Sequence, residues 1–249
     1  NNQKNIYLNN TLVILVINNS INSSQSIKNN NVSTHLLIKS YKFNFEYIVL
    51  DYYSQGNELP NKKGGVGVAR KIGMDYCLKY SNQDSLLFCL DADTLISKKY
   101  LTQIIKCYNQ TNFNTCVVKF LHQKSSNPKI EKAIRLYEET LYSIANQIRK
   151  CESPYGYVSM GSTIICKVKA YISVGGMSKK SAAEDFYFMQ SLAKYNSIHF
   201  IDDYLVYPSS RLEMRVYLGT GFRLLQYEKN NFFLDLNFSD TCFNTIKKI

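Results

Sequence analysis

The stretch that decides the fold is Ser85-Leu86-Leu87-Phe88-Cys89-Leu90-Asp91-Ala92-Asp93, a short apolar run that stops at two carboxylates. Such a continuous run is typical of a strand covered on both faces of a parallel sheet. Ligands of open α/β sheets bind beyond the carboxyl ends of the strands, and alternation along extended chain directs Asp91 and Asp93 to the same side. Two hard oxygen ligands suit Mg²⁺ or Mn²⁺, with water and phosphates in the remaining positions. The alternative is that Asp93 caps a helix beginning near Ile96.

The pattern around this strand predicts an α/β fold with a mostly parallel, doubly wound sheet flanked by helices. Short apolar runs alternate with amphipathic segments, and a later apolar series at helical spacing predicts a long helix from Ile130 to Ile148. The runs read as strands are residues 13–17, 47–50, 86–90, 116–118 and 199–201, and the segments read as helices are 66–80, 98–108, 130–148 and 184–195. We interpret residues 18–34 as a loop leading into a short helix at 36–41.

Composition limits the class of protein. The 249 residues are 45% apolar, which predicts a folded chain, and 30 Lys and Arg against 19 Asp and Glu give 30 − 19 = +11. The excess of positive charge favours an anionic partner. The longest apolar run, residues 12–17, is far shorter than the roughly 18 residues of a membrane span, so we expect a soluble or peripheral protein. Seven cysteines without a C-x-x-C pair predict buried thiols in a reducing compartment.

Three further polar motifs are candidates for chemistry. Glu184-Asp185 opens a predicted helix, where acids complement the helix dipole and where two adjacent carboxylates suit a general base. Asp51 ends the second strand, and its carboxylate can accept hydrogen bonds from a ligand or cap the following turn. The glycines at 64, 65 and 67 precede Arg70 at a predicted helix start, which is a place for phosphate to approach.

The order of these motifs resembles that of the family 2 glycosyltransferases with the GT-A fold, over roughly residues 11–211. The segments that match are 13–20, 47–54, 65–73, the D-x-D sequence 91–93, 161–165 with 174–177, and 184–185. The chain departs from the family at Val16, where a proline is usual, and at Asn18, where a tyrosine is usual. It also lacks the Q-x-x-R-W signature and any Trp, which favours transfer of a single sugar over processive synthesis.

The resemblance implies a role for each candidate residue. Asp185 would be the general base, with Glu184 assisting it, and Asp93 with Asp91 would hold Mn²⁺ or Mg²⁺. Arg211 and Arg215 are candidates for contacts with the diphosphate or an acidic acceptor. The residues implied to bind the donor nucleotide are Val16, Asn18, Asp51, Arg70 and Asp91.

The resemblance also implies the activity and the organisation of the chain. We expect a metal-dependent, inverting transfer of one sugar from a nucleotide-diphosphate sugar, a UDP-sugar by family likeness, to a hydroxyl of a glycan or lipid-linked glycan in polysaccharide biosynthesis. A GT-A domain over residues 1–210 would contain a nucleotide half (11–95) and an acceptor half (115–210). Residues 211–249 would be a C-terminal extension packing on or near the active site. We expect a cytoplasmic location, with peripheral contact to anionic lipid at the inner face of the membrane.

Three other functions remain open at this point. A nucleotidylyltransferase that makes the sugar nucleotide would share the sheet and an acidic metal site. A non-catalytic GT-A scaffold would keep the fold without the reaction. A nucleic-acid-binding module is compatible with the charge and the 20 tyrosines, but the basic residues are dispersed and no recognition signature occurs, so we expect no nucleic-acid partner.

Overall fold

The computed structural model describes residues 3–61, 65–178, 183–212, 219–230 and 238–248. The strands in chain order are β1 (Leu12–Asn18), β2 (Glu46–Tyr52), β3 (Leu86–Phe88), β4 (Leu95–Ile96), β5 (Thr115–Phe120), β6 (Ile164–Lys167) and β7 (Ile198–Tyr207). The α-helices are α1 (Asn5–Leu8), α2 (Gln25–Ser40), α3 (Val66–Cys77), α4 (Tyr100–Thr111), α5 (Pro128–Lys150), α6 (Val168–Ser173), α7 (Glu184–Tyr195), α8 (Thr220–Asn230) and α9 (Asp240–Ile246).

The chain forms two compact units. The first unit comprises Asn1–Leu87, Lys98–Asn112 and Lys167–Phe188, and the second comprises Phe88–Ser97, Phe113–Cys166 and Met189–Ile249. Each unit is therefore assembled from separate stretches of chain, and α7 begins in the first unit and continues in the second.

The first unit is built on a parallel pair of strands. In this pair β1 and β2 run in register, so that Val16 lies opposite Leu50 and Asn18 opposite Tyr52. Helix α3 packs on β1 at Gly73, where an added Cβ would lie 3.2 Å from Val16 Cγ2. The glycine is thus explained by the close approach of helix and strand.

The second unit contains most of a five-stranded mixed sheet with the strand order β3-β6-β5-β7-β4. Strand β5 runs parallel to β7 and antiparallel to β6, while β4 runs antiparallel to β7. Helices α5 and α8 share an apolar cluster of this unit. Its fully or nearly buried members are Ile130, Ala133, Ile134, Leu224 and Tyr227.

The predicted α/β class is confirmed, and the five-stranded sheet is mixed, since antiparallel pairs stand beside a parallel one. The long helix expected from Ile130 is α5, and the helix expected over residues 184–195 is α7. The strand expected at 199–201 is extended at both ends to form β7. All seven cysteines are free thiols, but only Cys89, Cys116 and Cys166 are buried as expected, and Cys242 is exposed. Burial raises the pKa of Cys166.

Two local expectations are corrected. Residues 18–34 are not one loop, because α2 begins at Gln25 after Ser24, whose Oγ accepts from the Ile27 N–H at 3.4 Å. Asp93 does not cap a helix, because β4 follows it and α4 begins at Tyr100. The segment expected to be a C-terminal extension, residues 211–249, contains α8 and α9.

Within the parts of the chain that the structure describes, no helix is both long and apolar enough to cross a membrane.

Candidate active site

The D-x-D sequence forms a tight turn between β3 and β4 and not extended chain, so the alternation that was expected to direct Asp91 and Asp93 to the same side does not apply. The Thr94 N–H donates to the Asp91 carbonyl at 3.0 Å, which closes the turn, and the Asp91 N–H donates to Ser162 Oγ at 3.1 Å. Ser162 is 1% exposed and lies just before β6, so its position is set by the sheet. The backbone of the turn is therefore held by buried structure, while both carboxylates remain partly accessible.

Gln123 fixes the other side of this turn. Its Nε2 donates to the Asp93 carbonyl at 2.8 Å and to the Tyr207 carbonyl at 2.9 Å. Its backbone N–H donates to the Pro208 carbonyl at 2.9 Å. One side chain thus joins the D-x-D turn to the end of β7, from which the chain continues to Arg211.

Arg211 and Asp93 form an ion pair within the second unit. The Arg211 Nη2 lies 2.5 Å from Asp93 Oδ2, and the two side chains are 46% and 36% exposed. A partly hydrated pair of this kind is weak, since water and salt screen both charges. Arg211 can therefore leave Asp93 at little cost in free energy when another cation arrives.

The carboxylates of this turn fit a divalent cation of the Mg²⁺ type. Such an ion needs only one or two protein carboxylates and takes water and phosphate oxygens for its other positions. Asp93 already holds a positive group, which indicates that its carboxylate is available to a cation. Among the described residues there is no cluster of three or more His, Cys, Asp or Glu side chains that could form a complete protein cage. Asp91 and Asp93 could supply one or two of the ligands of such an ion.

A buried polar network lies next to Gln123 and was missed from the sequence. His122 and Glu138 are 2% and 4% exposed, with His122 Nδ1 2.8 Å from Glu138 Oε1. Arg135 bonds Glu138 Oε2 at 2.6 Å and the His122 carbonyl at 2.8 Å. The signal for it was the polar pair His122-Gln123, which follows strand β5 after one residue, Leu121, a pattern close to the one that identified Asp51 and Asp91.

In the first unit, Arg70 of α3 forms an ion pair with Glu184, the first residue of α7. The two side chains are only 10% and 5% exposed, so neither charge is well hydrated. Removing one partner of a buried pair leaves an uncompensated charge, which is strongly destabilising. In this structure Arg70 therefore contacts Glu184 of the Glu184-Asp185 motif.

Asp185 follows at the same helix start and is less buried than Glu184. Its Oδ1 accepts a hydrogen bond from the Phe186 N–H at 2.8 Å, where the helix dipole also favours negative charge. The preceding Ala183 has φ = 56°, in the left-handed region that non-glycine residues seldom adopt. Strain of this kind is frequent at functional sites, because the surrounding structure must hold the backbone in place.

Asp51 caps the turn after β2. Its Oδ1 accepts from the Tyr53 and Ser54 N–H groups at 3.1 and 2.9 Å, and its Oδ2 accepts from Ser54 Oγ at 2.5 Å. Partial burial acts to raise the pKa of Asp51, but these hydrogen bonds outweigh it and hold the pKa below its ordinary value. Of the two interpretations of Asp51, the structure contains the turn cap.

The remaining candidates for donor binding lie at the end of β1. The Val16 side chain packs against Gly73, and the Asn18 carbonyl accepts from Asn31 Nδ2 of α2 at 3.1 Å. Contact between the donor and this end of β1 would therefore use other groups of Val16 and Asn18. Such contact remains a prediction. Arg215 lies outside the described residues.

The predicted residues are thus distributed over the two units. Two pairs come together, Arg70 with Glu184 in the first unit and Arg211 with Asp93 in the second. The first unit holds Val16, Asn18, Asp51, Arg70, Glu184 and Asp185, and the second holds Asp91, Asp93 and Arg211.

Comparison with known proteins gives likeness in fold. No family model matches the chain, and no curated protein matches it. A crystal structure of S. aureus TarS 1-349 in complex with UDP-GlcNAc is similar over 98% of this chain, with a TM-score of 0.53 and 13% identity. A second, in complex with UDP, is similar over 95% of this chain, with a TM-score of 0.50 and 13% identity. The matches cover 64% and 71% of those TarS chains, so this chain spans about two thirds of their length. The chain has a GT-A-like fold.

Proposed function

We propose that this protein is a glycosyltransferase that moves one sugar from a nucleotide-diphosphate sugar to an acceptor hydroxyl. The observation that carries the proposal is a D-x-D turn with accessible carboxylates at the end of a strand in a chain of GT-A-like fold. The solved complexes of TarS with UDP-GlcNAc and UDP support a UDP-sugar as the donor. Family 2 membership and inversion at the anomeric carbon rest on the order of sequence motifs.

On the donor side, we assign the diphosphate to the D-x-D turn. Asp91 and Asp93 would hold Mn²⁺ or Mg²⁺, which when bound neutralises charge on the departing diphosphate. Arg211, released from Asp93, has the planar fork of donors that suits phosphate oxygens. Gln123 and Ser162 keep the turn in one conformation, which preorganises the site. Val16, Asn18, Asp51 and Arg70 remain our candidates for the nucleoside.

On the acceptor side, we assign proton removal to Asp185. Its carboxylate takes the proton of the acceptor hydroxyl, whose oxygen bonds to the anomeric carbon while the bond from that carbon to the diphosphate oxygen breaks. The nucleoside diphosphate leaves with the bonding electron pair. Attack from the face opposite the leaving group inverts the anomeric centre. Glu184, held by Arg70, fixes the start of α7 and thereby the position of Asp185.

We further propose that the acceptor is a glycan or lipid-linked glycan used in polysaccharide synthesis, and that the enzyme works in the cytoplasm beside an anionic membrane. The net charge of +11 supports this part of the proposal, because a basic surface is attracted to anionic lipid and to charged glycan carriers.

The test combines ligand binding with turnover. Thermal unfolding is measured with UDP or UDP-GlcNAc, with and without Mn²⁺, for the wild type, Asp93→Asn, Asp185→Asn and the control Asp240→Asn, which alters an exposed acid at the start of α9. We expect a Mn²⁺-dependent stabilisation that Asp93→Asn abolishes and the control retains. Asp185→Asn should bind the donor normally and lose at least about 100-fold in transfer.

Other results would redirect the assignment. Nucleotide binding that is independent of Mn²⁺ and unaffected by Asp93→Asn would exclude the metal site. Donor binding without transfer to any acceptor, or hydrolysis, would identify a non-catalytic scaffold. Release of pyrophosphate from a nucleoside triphosphate and a sugar phosphate would identify a nucleotidylyltransferase.

A further inference from the structure

Helix α2 has its polar side turned inward. Asn31 Nδ2 donates to Asn19 Oδ1 at 2.9 Å, and His35 Nδ1 lies 2.7 Å from the Tyr53 hydroxyl. The helix contains no buried residue. Hydrogen bonds therefore hold α2 to the first unit, whereas a helix on the surface of a globular protein normally packs its apolar side against the core.

Several apolar side chains of α2 and of its C-terminal end are exposed, among exposed polar residues of the same helix. Val32 and Leu36 are four residues apart and thus adjacent on the helix, and their exposed fractions are 47% and 63%. Leu37 is 57% exposed, and Tyr41, which directly follows the helix and stacks on Phe43, is 61% exposed. Exposed apolar side chains grouped in this way commonly mark a site of interaction, because water solvates them poorly. We call Val32, Leu36, Leu37 and Tyr41 the α2 outer face.

The charged residues of α2 and of the segment up to residue 45 are all lysines, and one of them, Lys28, pairs with Glu58. Lys39 and Lys42 are exposed at the C-terminal end of the helix, beside Tyr41. Residues 1–45 contain four Lys and no Asp or Glu, so the first acid in the chain is Glu46. A second copy of this chain would bring equal positive charge to the same place. An anionic surface with an apolar interior complements both the charge and the apolar side chains.

We propose that the α2 outer face docks on the surface of an anionic lipid bilayer. The leucines and the valine would enter the boundary between headgroups and acyl chains, Tyr41 would lie at the level of the headgroups, and Lys39 and Lys42 would contact lipid phosphates. This deepens the membrane contact proposed above by naming its surface. It does not require sugar transfer, since the inward hydrogen bonds of α2 hold the outer face in position without a donor.

The experiment is sedimentation of the full chain with vesicles, without nucleotide or metal. Vesicles of phosphatidylcholine with 30% phosphatidylglycerol are compared with pure phosphatidylcholine. We expect binding to the anionic vesicles and a loss of about tenfold or more in Leu36→Asn/Leu37→Asn. Lys39→Glu/Lys42→Glu should lose about 25-fold or more, since each lysine near an anionic surface contributes about fivefold.

Matched controls separate docking from folding and from general charge. Ile172→Asn alters another exposed apolar residue, and Lys98→Glu/Lys247→Glu removes the same number of exposed lysines elsewhere. Both controls should bind vesicles like the wild type, and every variant should keep the wild-type unfolding temperature and UDP response. A failed UDP response in the wild type would contradict the proposed function but leave the vesicle result intact.

Retained vesicle binding in Leu36→Asn/Leu37→Asn would overturn the proposal, as would absent binding in the wild type. If Lys98→Glu/Lys247→Glu reduced vesicle binding as much as Lys39→Glu/Lys42→Glu does, binding would depend on net charge alone. Sedimentation velocity supplies the last alternative, because a wild-type dimer that the leucine variant converts to monomer would identify a second copy as the occupant of the α2 outer face.

Discussion

Two arginine–carboxylate pairs lie in the two units, and they differ chiefly in exposure. Arg70 and Glu184 have side chains 10% and 5% exposed, whereas those of Arg211 and Asp93 are 46% and 36% exposed. The first pair joins a helix interior to a helix start, while the second joins a tight turn to the chain after β7.

The comparison separates a fixed pair from an exchangeable one. When neither charge is well hydrated, separating the pair leaves an uncompensated charge in the protein interior. Because this raises the free energy strongly, the pair persists. When both are near water, separation costs little and either partner can take another ion. We infer that Glu184 is a positioning residue, whereas Asp93 and Arg211 can change partners when a ligand binds.

The largest effect is expected from breaking the buried pair. Arg70→Met should lower the free energy of unfolding by about 3–5 kcal/mol, because the buried Glu184 carboxylate would lose the guanidinium that pairs with it. Urea unfolding at neutral pH measures this. The matched control is Lys71→Met, at the next position of α3, whose ion pair with Asp75 is more exposed. That control should change the free energy by less than about 1 kcal/mol.

The double variant Arg70→Met/Glu184→Gln tests the cause of this loss. It should recover part of the stability, because no unpaired charge remains. If Arg70→Met alone lowered the free energy of unfolding no more than Lys71→Met does, the pair would not be a structural element.

A smaller effect is expected from the side chain that holds the backbone of Asp93. Gln123→Ala removes hydrogen bonds to two carbonyl groups and should lower the free energy of unfolding by about 1–3 kcal/mol. It should also weaken the stabilisation by UDP with Mn²⁺, because the D-x-D turn would lose its fixed conformation. Gln25→Ala, at the exposed start of α2, is the control and should change neither quantity. An unchanged response to UDP would limit Gln123 to a structural role.

Much of the fold could be predicted from the sequence, because buried strands and long amphipathic helices have strong periodic signals. The apolar series from Ile130 gave α5, and the run ending at Asp91 gave β3. Helix α2 could not be predicted in full, since Asn31 and His35 lie on its inward side while Val32, Leu36 and Leu37 are exposed. A periodicity argument assumes that apolar residues face the core, and only part of α2 follows that assumption.

The sequence could predict those residues of the site that lie at the ends of strands. That rule located Asp51 and the D-x-D turn, and it would also have selected Gln123 after β5. The partners of these residues were not predictable. Arg70 and Glu184 are separated by 114 positions and Asp93 and Arg211 by 118, so only the folded chain brings each pair together.

Breaking the exposed pair should lower the free energy of unfolding slightly and raise the affinity for the metal. Arg211→Ala should lower the free energy of unfolding by less than about 1 kcal/mol, and 1 M salt should reduce that difference. The affinity for Mn²⁺ alone should rise by about two- to fivefold, because Asp93 loses a competing cation. Isothermal titration with Mn²⁺ measures this. Unchanged Mn²⁺ affinity would mean that Arg211 and the metal do not share Asp93.

The smallest effect is expected from Asp51, a carboxylate held by hydrogen bonds alone. Its pKa in the folded chain is lowered from a reference value of 3.8, so the deprotonated form is the one that folding stabilises. The resulting stability is present above the unfolded pKa and is lost as pH falls through the folded pKa. Asp51→Asn should therefore be less stable than the wild type at pH 7, and the difference should shrink below about pH 4. Urea midpoints at pH 7, 5, 3.5 and 2.5 measure it, with Asp240→Asn as the exposed control. A difference that stays constant with pH would mean that packing of the turn, rather than the charge of Asp51, is what the variant removes.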